Sequence, residues 1–115
     1  MARFHFDCIF YYVRDMEKAI SFYSAVLGLR LASRDVVARF DIDGVLFELV
    51  PTRDEEKLRG DGNARLCLKV DDIDDAAQYL KTNRTHGGEI QKVGNGKLAS
   101  FEDPDGNEVY LWQYD

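Results

Sequence analysis

The chain has 115 residues, 45% hydrophobic and 31% charged, which is the usual size and composition of one globular domain. Fifteen basic against 21 acidic residues give a formal net charge of −6, which argues against nucleic acid as a partner. No apolar run reaches the roughly 20 residues of a membrane-spanning helix. Charged residues near the N-terminus interrupt the apolar core that a signal peptide would need. We therefore expect a cytoplasmic protein that does not act on membranes.

The first half of the chain predicts one helix and four strands. Aromatic and β-branched residues from Phe6 to Val13 predict a buried strand. Asp15 can cap a helix that ends at Gly28, because the intervening apolar residues fall at helical spacing: Met16, Ala19, Ile20, Tyr23, Val26 and Leu27. Three more strands are predicted, at residues 29–33, 36–42 and 45–50, with a hairpin turn at Asp43-Gly44.

The second half of the chain predicts the same elements in the same order. Residues 52–63 are polar and glycine-bearing and predict a linker between module one, residues 1–51, and module two, residues 64–115. A strand from Arg65 to Val70 is followed by a helix capped by Asp72, with the apolar stripe Ile73, Ala76, Ala77 and Leu80. The remaining strands are predicted at residues 89–93, 97–102 and 107–113, with turns at Asn95-Gly96 and Asp105-Gly106.

Two segments of the first half of the chain recur in the second half. Residues Val13–Ile20 reappear in outline as Val70–Ala77, and Phe40–Leu49 is echoed by Glu102–Leu111. The matches occur in the same order and bracket elements of the same type, which indicates a duplication. The predicted fold is therefore α+β, with two βαβββ modules, eight strands in total, and helices packed on one side of the sheets.

Both segments also resemble a known superfamily. The run Val13–Tyr23 followed by Val26–Leu29 resembles the opening of glyoxalase/bleomycin-resistance/dioxygenase proteins, the vicinal-oxygen-chelate superfamily, and Phe101–Asn107 is similar to its closing signature. The resemblance covers essentially the whole chain. It implies a curved, partly closed eight-stranded sheet with helices outside, and a homodimer. It does not define the reaction, because the superfamily includes isomerases, dioxygenases, epimerases, thiol transferases and metal-free drug-sequestering proteins.

In metal-dependent members, the resemblance implies that His, Glu or Gln ligands come from the first and last strands of each module. The matching positions here are Cys8, Glu48, Arg65 and Tyr110. Only Glu48 is an orthodox ligand, since Arg65 is a permanent cation and Cys8 and Tyr110 would first have to lose a proton. We therefore expect no cofactor, with Glu48 as the one protein ligand should a divalent metal be retained.

Period-two alternation places further side chains on the same cavity wall. They are Phe10 and Tyr12 beside Cys8, Cys67 and Lys69 beside Arg65, and Glu108 and Trp112 beside Tyr110. The alternate residues of these strands are apolar and are predicted to pack on the helices. A wall of aromatic and polar groups suits a flat, partly apolar small molecule, whereas the alternative is that the aromatics fill a dimer interface.

The charged and reactive residues leave alternatives open. Glu48 and Arg65 are either an ion pair in place of the metal, or a ligand clamp in which Arg65 holds an anion and Glu48 acts as base or acceptor. Cys8 is predicted to be an inert thiol, the alternative being a nucleophile whose pKa is lowered by Arg65. His5 and His86 are predicted to be structural or solvent-exposed.

Three functions follow from these predictions. The first is a module that binds or sequesters a small organic molecule without a metal. The second is an enzyme, a metal-dependent lyase, isomerase or dioxygenase with an altered ligand set, in which Glu48 is the base or sole protein ligand. The third is an interaction module whose aromatics are buried between subunits. Whether the chain is an enzyme is left open by the sequence.

Overall fold

The computed structural model describes residues 5–59 and 65–115. The chain divides into two compact units, Met1–Leu58 and Arg59–Asp115. Each unit combines a helix with a four-stranded sheet, so the α+β prediction is confirmed. Across the two described ranges, no helix has the length and apolar character needed to cross a membrane.

The first unit has its elements in the predicted order. They are β1 (Ile9–Val13), α1 (Met16–Ile20), a π-helical segment (Ser21–Val26), β2 (Arg30–Arg34), β3 (Ala38–Ile42) and β4 (Val45–Pro51), followed by a short 3₁₀ turn (Lys57–Arg59). The sheet order is β1-β4-β3-β2, with β1 parallel to β4 and the other neighbours antiparallel. The predicted first strand is too long by three residues, because Phe6 lies outside the sheet with 70% of its surface exposed.

The second unit repeats this plan. Its elements are β5 (Leu66–Lys69), α2 (Ile73–Thr82), β6 (Gln91–Val93), β7 (Gly96–Glu102) and β8 (Glu108–Tyr114). The sheet order is β5-β8-β7-β6, with β5 parallel to β8 and the others antiparallel. Strand order and direction match those of the first unit, so the two four-stranded sheets have the same topology. Neither four-stranded sheet closes on itself.

Both helices begin at the predicted aspartates. The Asp15 carboxylate accepts a hydrogen bond from the Lys18 backbone N–H, and the Asp72 carboxylate accepts one from the Asp75 N–H, each at 3.1 Å. Each cap satisfies one of the free amides of the first helical turn, an interaction typically worth about 1 kcal/mol.

The first helix changes geometry after one and a half turns. Its α-helical part ends at Ile20, and the chain continues as a π-helix in which Leu27 N–H donates to the Phe22 carbonyl oxygen at 2.9 Å. The wider turn allows the consecutive residues Phe22 and Tyr23 both to be buried, with Tyr23 fully inaccessible. The helical segment closes at Gly28, whose φ is 74°.

Each unit buries the helix-facing residues of its sheet. In the first unit the most deeply buried side chains are Val13, Tyr23, Phe40, Phe47 and Leu49, and in the second they are Ile73, Phe101 and Val109. Within β4 the buried residues alternate, since Phe47 and Leu49 are two apart, whereas Tyr23 and Ile73 belong to the helical segments. The opposite face of each sheet carries the predicted cavity-wall residues.

Two hairpin predictions have different outcomes. Asp43-Gly44 forms the predicted two-residue turn, with φ values of 52° and 88°, and the β3–β4 pairing closes immediately beside it. The predicted Asn95-Gly96 turn is wrong by one residue. The turn consists of Gly94 and Asn95, because Gly94 takes the positive φ of 53°, and Gly96 is the first residue of β7.

The segment Phe101–Asn107 comprises the last two residues of β7 and the turn that leads to β8. The buried Asp103 carboxylate accepts hydrogen bonds from the backbone N–H groups of Asp105 and Asn107 at 2.9 and 2.8 Å, and from the Asn107 side-chain amide at 2.9 Å. The segment therefore sets the geometry of a turn. The described part of the predicted linker, residues 52–59, includes the buried Leu58, while residues 60–63 lie outside the described residues.

Candidate functional site

In the first unit, Glu48 lies at the middle of β4 on the face that is turned away from the helix. The Cys8 thiol donates to Glu48 Oε1 at 3.7 Å, and Arg39 Nε is 3.3 Å from Glu48 Oε2. Arg39 also contacts Asp35 Oδ2 through Nη1 at 3.1 Å. Both carboxylate oxygens of Glu48 therefore have a partner, and only 18% of this side chain is exposed.

The Cys8 thiol is held in its neutral form. Burial raises the pKa of Cys8 above its usual value of 9.0, and the negative charges of Glu48 and Asp7 raise it further. A cysteine nucleophile needs the opposite shift, since the thiolate is the reactive species. The direction of the shift favours the inert thiol over the alternative of an activated nucleophile.

In the second unit, Arg65 immediately precedes β5 and pairs with an acid on β8. Its Nε donates to Glu108 Oε2 at 3.1 Å. This hydrogen bond is the main reason that the pKa of Arg65 is raised, with burial acting in the opposite direction and Tyr110 adding a smaller contribution. The Arg65 charge is thus balanced by a neighbour within its own unit.

Aromatic side chains occupy the open face of both sheets. In the first unit Phe10 meets Tyr12 edge to face with 5.3 Å between ring centres, and Lys57 Nζ lies 5.2 Å from the centre of the Tyr12 ring. In the second unit Trp112 meets Tyr114 edge to face at 5.6 Å. Phe10 is 45% exposed and Tyr114 is 61% exposed, so large apolar rings face solvent on both units.

The predicted site residues fall into one group per unit. Cys8, Phe10, Tyr12 and Glu48 share the open face of the first sheet, and Arg65, Cys67, Lys69, Glu108, Tyr110 and Trp112 share that of the second. Cys67 and Lys69 are exposed and stand opposite Tyr110 and Trp112 in the β5–β8 register. Burial of the sulfur raises the pKa of Cys67.

Sequence reasoning missed Arg39, which is the partner of Glu48. The signal was available, because the two-residue turn at Asp43-Gly44 defines the hairpin register, and that register places Arg39 directly opposite Glu48. An ion pair between Glu48 and Arg65 is one of the two alternatives that the sequence leaves open. In the structure each of them has an ionic partner inside its own unit, Arg39 for Glu48 and Glu108 for Arg65.

The residues at the four ligand positions do not fit a hard divalent cation. The Glu48 carboxylate is engaged by the Arg39 guanidinium, the Cys8 thiol is protonated, and Arg65 is a cation. Within residues 5–59 and 65–115, no three His, Cys, Asp or Glu side chains come close enough together to hold a metal ion. Both histidines are exposed, and His86 lies in the loop before β6.

The first unit also has an open depression of about 370 Å³ at one end of its sheet. It is lined by Gly28, Leu29, Arg30 and the hairpin residues 41–44, and Arg30 Nη1 pairs with Asp41 Oδ2 at 3.0 Å. None of the predicted site residues lines it. This depression is separate from the group around Glu48.

The family described as Glyoxalase/Bleomycin resistance protein/Dioxygenase superfamily matches residues 5–111. The chain is 29% identical over 118 residues to a lactoylglutathione lyase of Neisseria meningitidis serogroup A, covering 88% of this chain and 84% of that protein. It is 28% identical over 118 residues to lactoylglutathione lyase GLX1 of Arabidopsis thaliana, covering 86% of this chain. This chain spans only 42% of the Arabidopsis protein's length.

Solved structures share the fold over almost the entire chain. TnmS3, an antibiotic binding protein from Streptomyces sp. CB03234, superposes with a TM-score of 0.78 and 28% sequence identity, covering 100% of this chain and 99% of that chain. The fosfomycin resistance protein FosX from Mesorhizobium loti superposes with a TM-score of 0.77, covering 100% and 95%. At 17% identity, the likeness to FosX shows the fold alone.

Proposed function

The chain belongs to the Glyoxalase/Bleomycin resistance protein/Dioxygenase superfamily, and from this we propose that it binds a small organic molecule on the open faces of its sheets without the superfamily's usual metal centre. This match confirms the superfamily that the segments Val13–Leu29 and Phe101–Asn107 resemble. The observation that carries the proposal is the contact between Arg39 and Glu48, 3.3 Å across the β3–β4 hairpin.

This contact weakens Glu48 as a metal ligand. A divalent ion bound to Glu48 would have to displace the guanidinium of Arg39 or share the carboxylate with it at short range, where like charges repel. Cys8 would also have to lose a proton beside an acid that raises its pKa. The charge of Arg39 and the raised pKa of Cys8 both oppose metal binding at Glu48 and Cys8.

The open faces have the composition of a small-molecule site. Aromatic rings supply apolar contact area, while Arg39, Glu48 and Arg65 supply hydrogen-bonding groups held in place by ion pairs. TnmS3, similar over nearly its whole length, is an antibiotic binding protein. We propose that the protein acts in the cytoplasm as a homodimer, as the superfamily implies.

Two measurements test this function on protein freed of metal with a chelator. Titration calorimetry with Mn²⁺, Zn²⁺ and Ni²⁺ is expected to show no stoichiometric uptake. A thermal-shift panel of planar aromatic acids, amides and drug-like heterocycles is expected to give hits whose effect persists in excess chelator, because ligand binding raises the melting temperature by mass action. Phe10→Ala or Trp112→Ala is expected to weaken those hits.

The control for the metal titration is Asp41→Ala, which removes a carboxylate of β3 that pairs with Arg30. One equivalent of divalent ion bound by the wild type and by Asp41→Ala, but not by Glu48→Ala, would contradict the metal-free proposal. No hits in the panel, together with a tight dimer that protects Phe10 and Trp112 from solvent, would indicate an interaction module.

A second candidate is favoured by the two lactoylglutathione lyases that the chain resembles. In this case the chain is a metal-dependent lyase, with Glu48 as base or sole protein ligand. Lactoylglutathione lyase activity supported by Ni²⁺ or Zn²⁺ and reduced at least a hundredfold in Glu48→Gln would favour it, since one acid–base group contributes about 10²–10⁴-fold. Activity that is unchanged in Glu48→Gln would exclude that role for Glu48.

A further inference from the structure

Resting on the proposed function, we propose that the open face of the second unit selects planar aromatic molecules that carry a negative charge. The ring stacks on Trp112 and the anion pairs with Lys69. We call this surface the Trp112 platform; its residues are Lys69, Gly96, Leu98, Trp112 and Tyr114. All five lie on one face of the second sheet, because Lys69 and Leu98 stand opposite Trp112, and Gly96 stands opposite Tyr114, in the strand registers.

The indole of Trp112 is held in place by its neighbours. A Cβ built on Gly96 would lie only 2.4 Å from Trp112 Cζ2 and 2.8 Å from Cε2, so the six-membered ring packs directly against the backbone of β7. Tyr114 contacts the same ring system edge to face. Gly96 leaves room for the ring and Tyr114 limits its motion. Stacking of a ligand on Trp112 therefore costs little additional side-chain entropy of the tryptophan. Trp112 is only partly buried, which leaves part of its surface accessible.

The local charge beside Trp112 is positive. Lys69 is exposed and stands directly opposite Trp112. Throughout residues 5–59 and 65–115, Lys69 has neither an ion pair nor a hydrogen bond through its side chain, whereas Arg65 on the same face is balanced by Glu108. On β7 and β8 the nearest acids of this face are Glu102 and Glu108, a register pair four residues, or about 13 Å, along β8 from Trp112. Asp71, exposed and two residues beyond Lys69 after the end of β5, is the nearest acid along the chain.

This arrangement discriminates between ligand classes. A neutral ring gains only the stacking contact, and a cationic ring is repelled by Lys69. An aromatic carboxylate gains both the contact with the indole and the attraction of the Lys69 ammonium, because Lys69 lies on the neighbouring strand, one strand spacing or roughly 5 Å from Trp112. The net charge of −6 therefore does not describe this surface.

Trp112 is the only tryptophan of the chain, so the single indole N–H signal in a ¹H–¹⁵N spectrum reports on this platform. We would titrate full-length protein with 2-naphthoate, 2-naphthamide and cyclohexanecarboxylate. Both naphthalene probes are expected to shift the indole signal, with the naphthoate binding about fivefold more tightly at low salt, as a solvent-exposed ion pair allows. Cyclohexanecarboxylate is expected to leave the signal unchanged, and added salt is expected to remove the preference for naphthoate.

Two charge variants and one ring variant complete the test. Lys69→Gln is expected to lower naphthoate affinity to that of naphthamide without changing naphthamide binding. Lys97→Gln is the matched control, because Lys97 stands opposite Gln113, whose Oε1 accepts the Ile73 N–H at the start of α2 on the helix-facing side. Trp112→Leu is expected to weaken both naphthalene probes by about tenfold, measured by calorimetry on protein shown to be folded by circular dichroism.

The outcomes separate this inference from the proposed function. Equal affinity of naphthoate and naphthamide, or a preference for naphthoate that survives Lys69→Gln, would overturn the charge selection while leaving aromatic binding at Trp112 intact. Binding of other small molecules with no shift of the indole signal would overturn the platform alone. No binding of any organic probe would overturn the proposed function together with this inference.

Discussion

Glu48 shows how the environment of one residue changes its chemistry. The residue type is that of a metal ligand, but Arg39 occupies one of its carboxylate oxygens and the Cys8 thiol donates to the other. Both carboxylate oxygens are occupied within this unit, and the charge of Glu48 adds to burial in raising the pKa of Cys8. A residue's identity at a ligand position is therefore not enough to infer a metal site.

The Cys8–Glu48 contact predicts a change in thiol reactivity. In a Cys67→Ser background, Glu48→Gln is expected to lower the pKa of Cys8, because it removes a negative charge that raises this pKa. The Cys8 thiolate then forms at lower pH, which can be followed as the pH midpoint of iodoacetamide alkylation. Asp41→Asn, on the neighbouring strand, should leave the midpoint unchanged. An unchanged midpoint in Glu48→Gln would show that the charge of Glu48 does not raise the pKa of this thiol.

The same shift has a consequence for stability. The pKa of Cys8 is higher in the folded protein than its ordinary value of 9.0, so the folded state binds this proton more tightly than the unfolded chain. The resulting stabilisation is fully present below the unfolded pKa. It is lost as the pH rises through the folded pKa, above about pH 9.

At the level of elements, turns rather than strands carry the most specific sequence information. The segment Phe101–Asn107 was singled out for its family resemblance, and the structure shows why its residue types matter. Asp103 is buried and its carboxylate collects three hydrogen bonds from the turn. These hydrogen bonds hold the turn between β7 and β8. The residue types of the segment are explained by the turn, without a role in binding a ligand.

Asp103→Ala is therefore expected to destabilise the protein by about 2–4 kcal/mol, because buried N–H donors lose their acceptor at about 1–3 kcal/mol each, partly recovered through water. Urea unfolding followed by circular dichroism measures this loss. The matched control is Glu102→Ala, an exposed residue one position earlier, with an expected change below about 0.5 kcal/mol. Equal midpoints for the two variants would show that the Asp103 contacts do not stabilise the turn.

The π-helical segment Ser21–Val26 is the element that sequence reasoning could not predict. Its apolar spacing is compatible with a continuous α-helix ending at Gly28. In this segment Phe22 and Tyr23 are both buried, and Tyr23 packs against β3 and β4, 6.0 Å from Phe40 and 5.1 Å from Phe47 between ring centres. Such packing depends on residues far away in the chain.

At the scale of the whole molecule, the two units have the same strand order and differ in the chemistry of their open sheet faces. The first sheet carries an acid, Glu48, where the second carries Tyr110. The second carries a cation, Arg65, where the first carries Cys8. The architecture is shared because the buried alternation and the helix caps are the same in both units.

Equivalent substitutions should therefore have equivalent effects in the two units. Asp15→Ala and Asp72→Ala each remove one cap with the same 3.1 Å geometry and are each expected to cost about 1 kcal/mol of unfolding free energy. Urea titration of both variants, with Asp74→Ala as a control that leaves the caps in place, measures this. A loss confined to one variant would show that the units do not contribute equally to stability.

The sequence by itself determined the α+β class, the order of the helices and strands, both helix caps, the Asp43-Gly44 turn and the superfamily. These features depend on periodicity, capping and turn chemistry over a few neighbouring residues, together with a repeat that is visible without coordinates. The tertiary structure decided that Glu48 pairs with Arg39, that Arg65 pairs with Glu108 and that Trp112 packs on Gly96. Those contacts join side chains across strands. The strand register determines which residues are neighbours, as for Arg39 and Glu48. Which of its neighbours a side chain contacts depends on its rotamer, and packing rather than local sequence selects that rotamer.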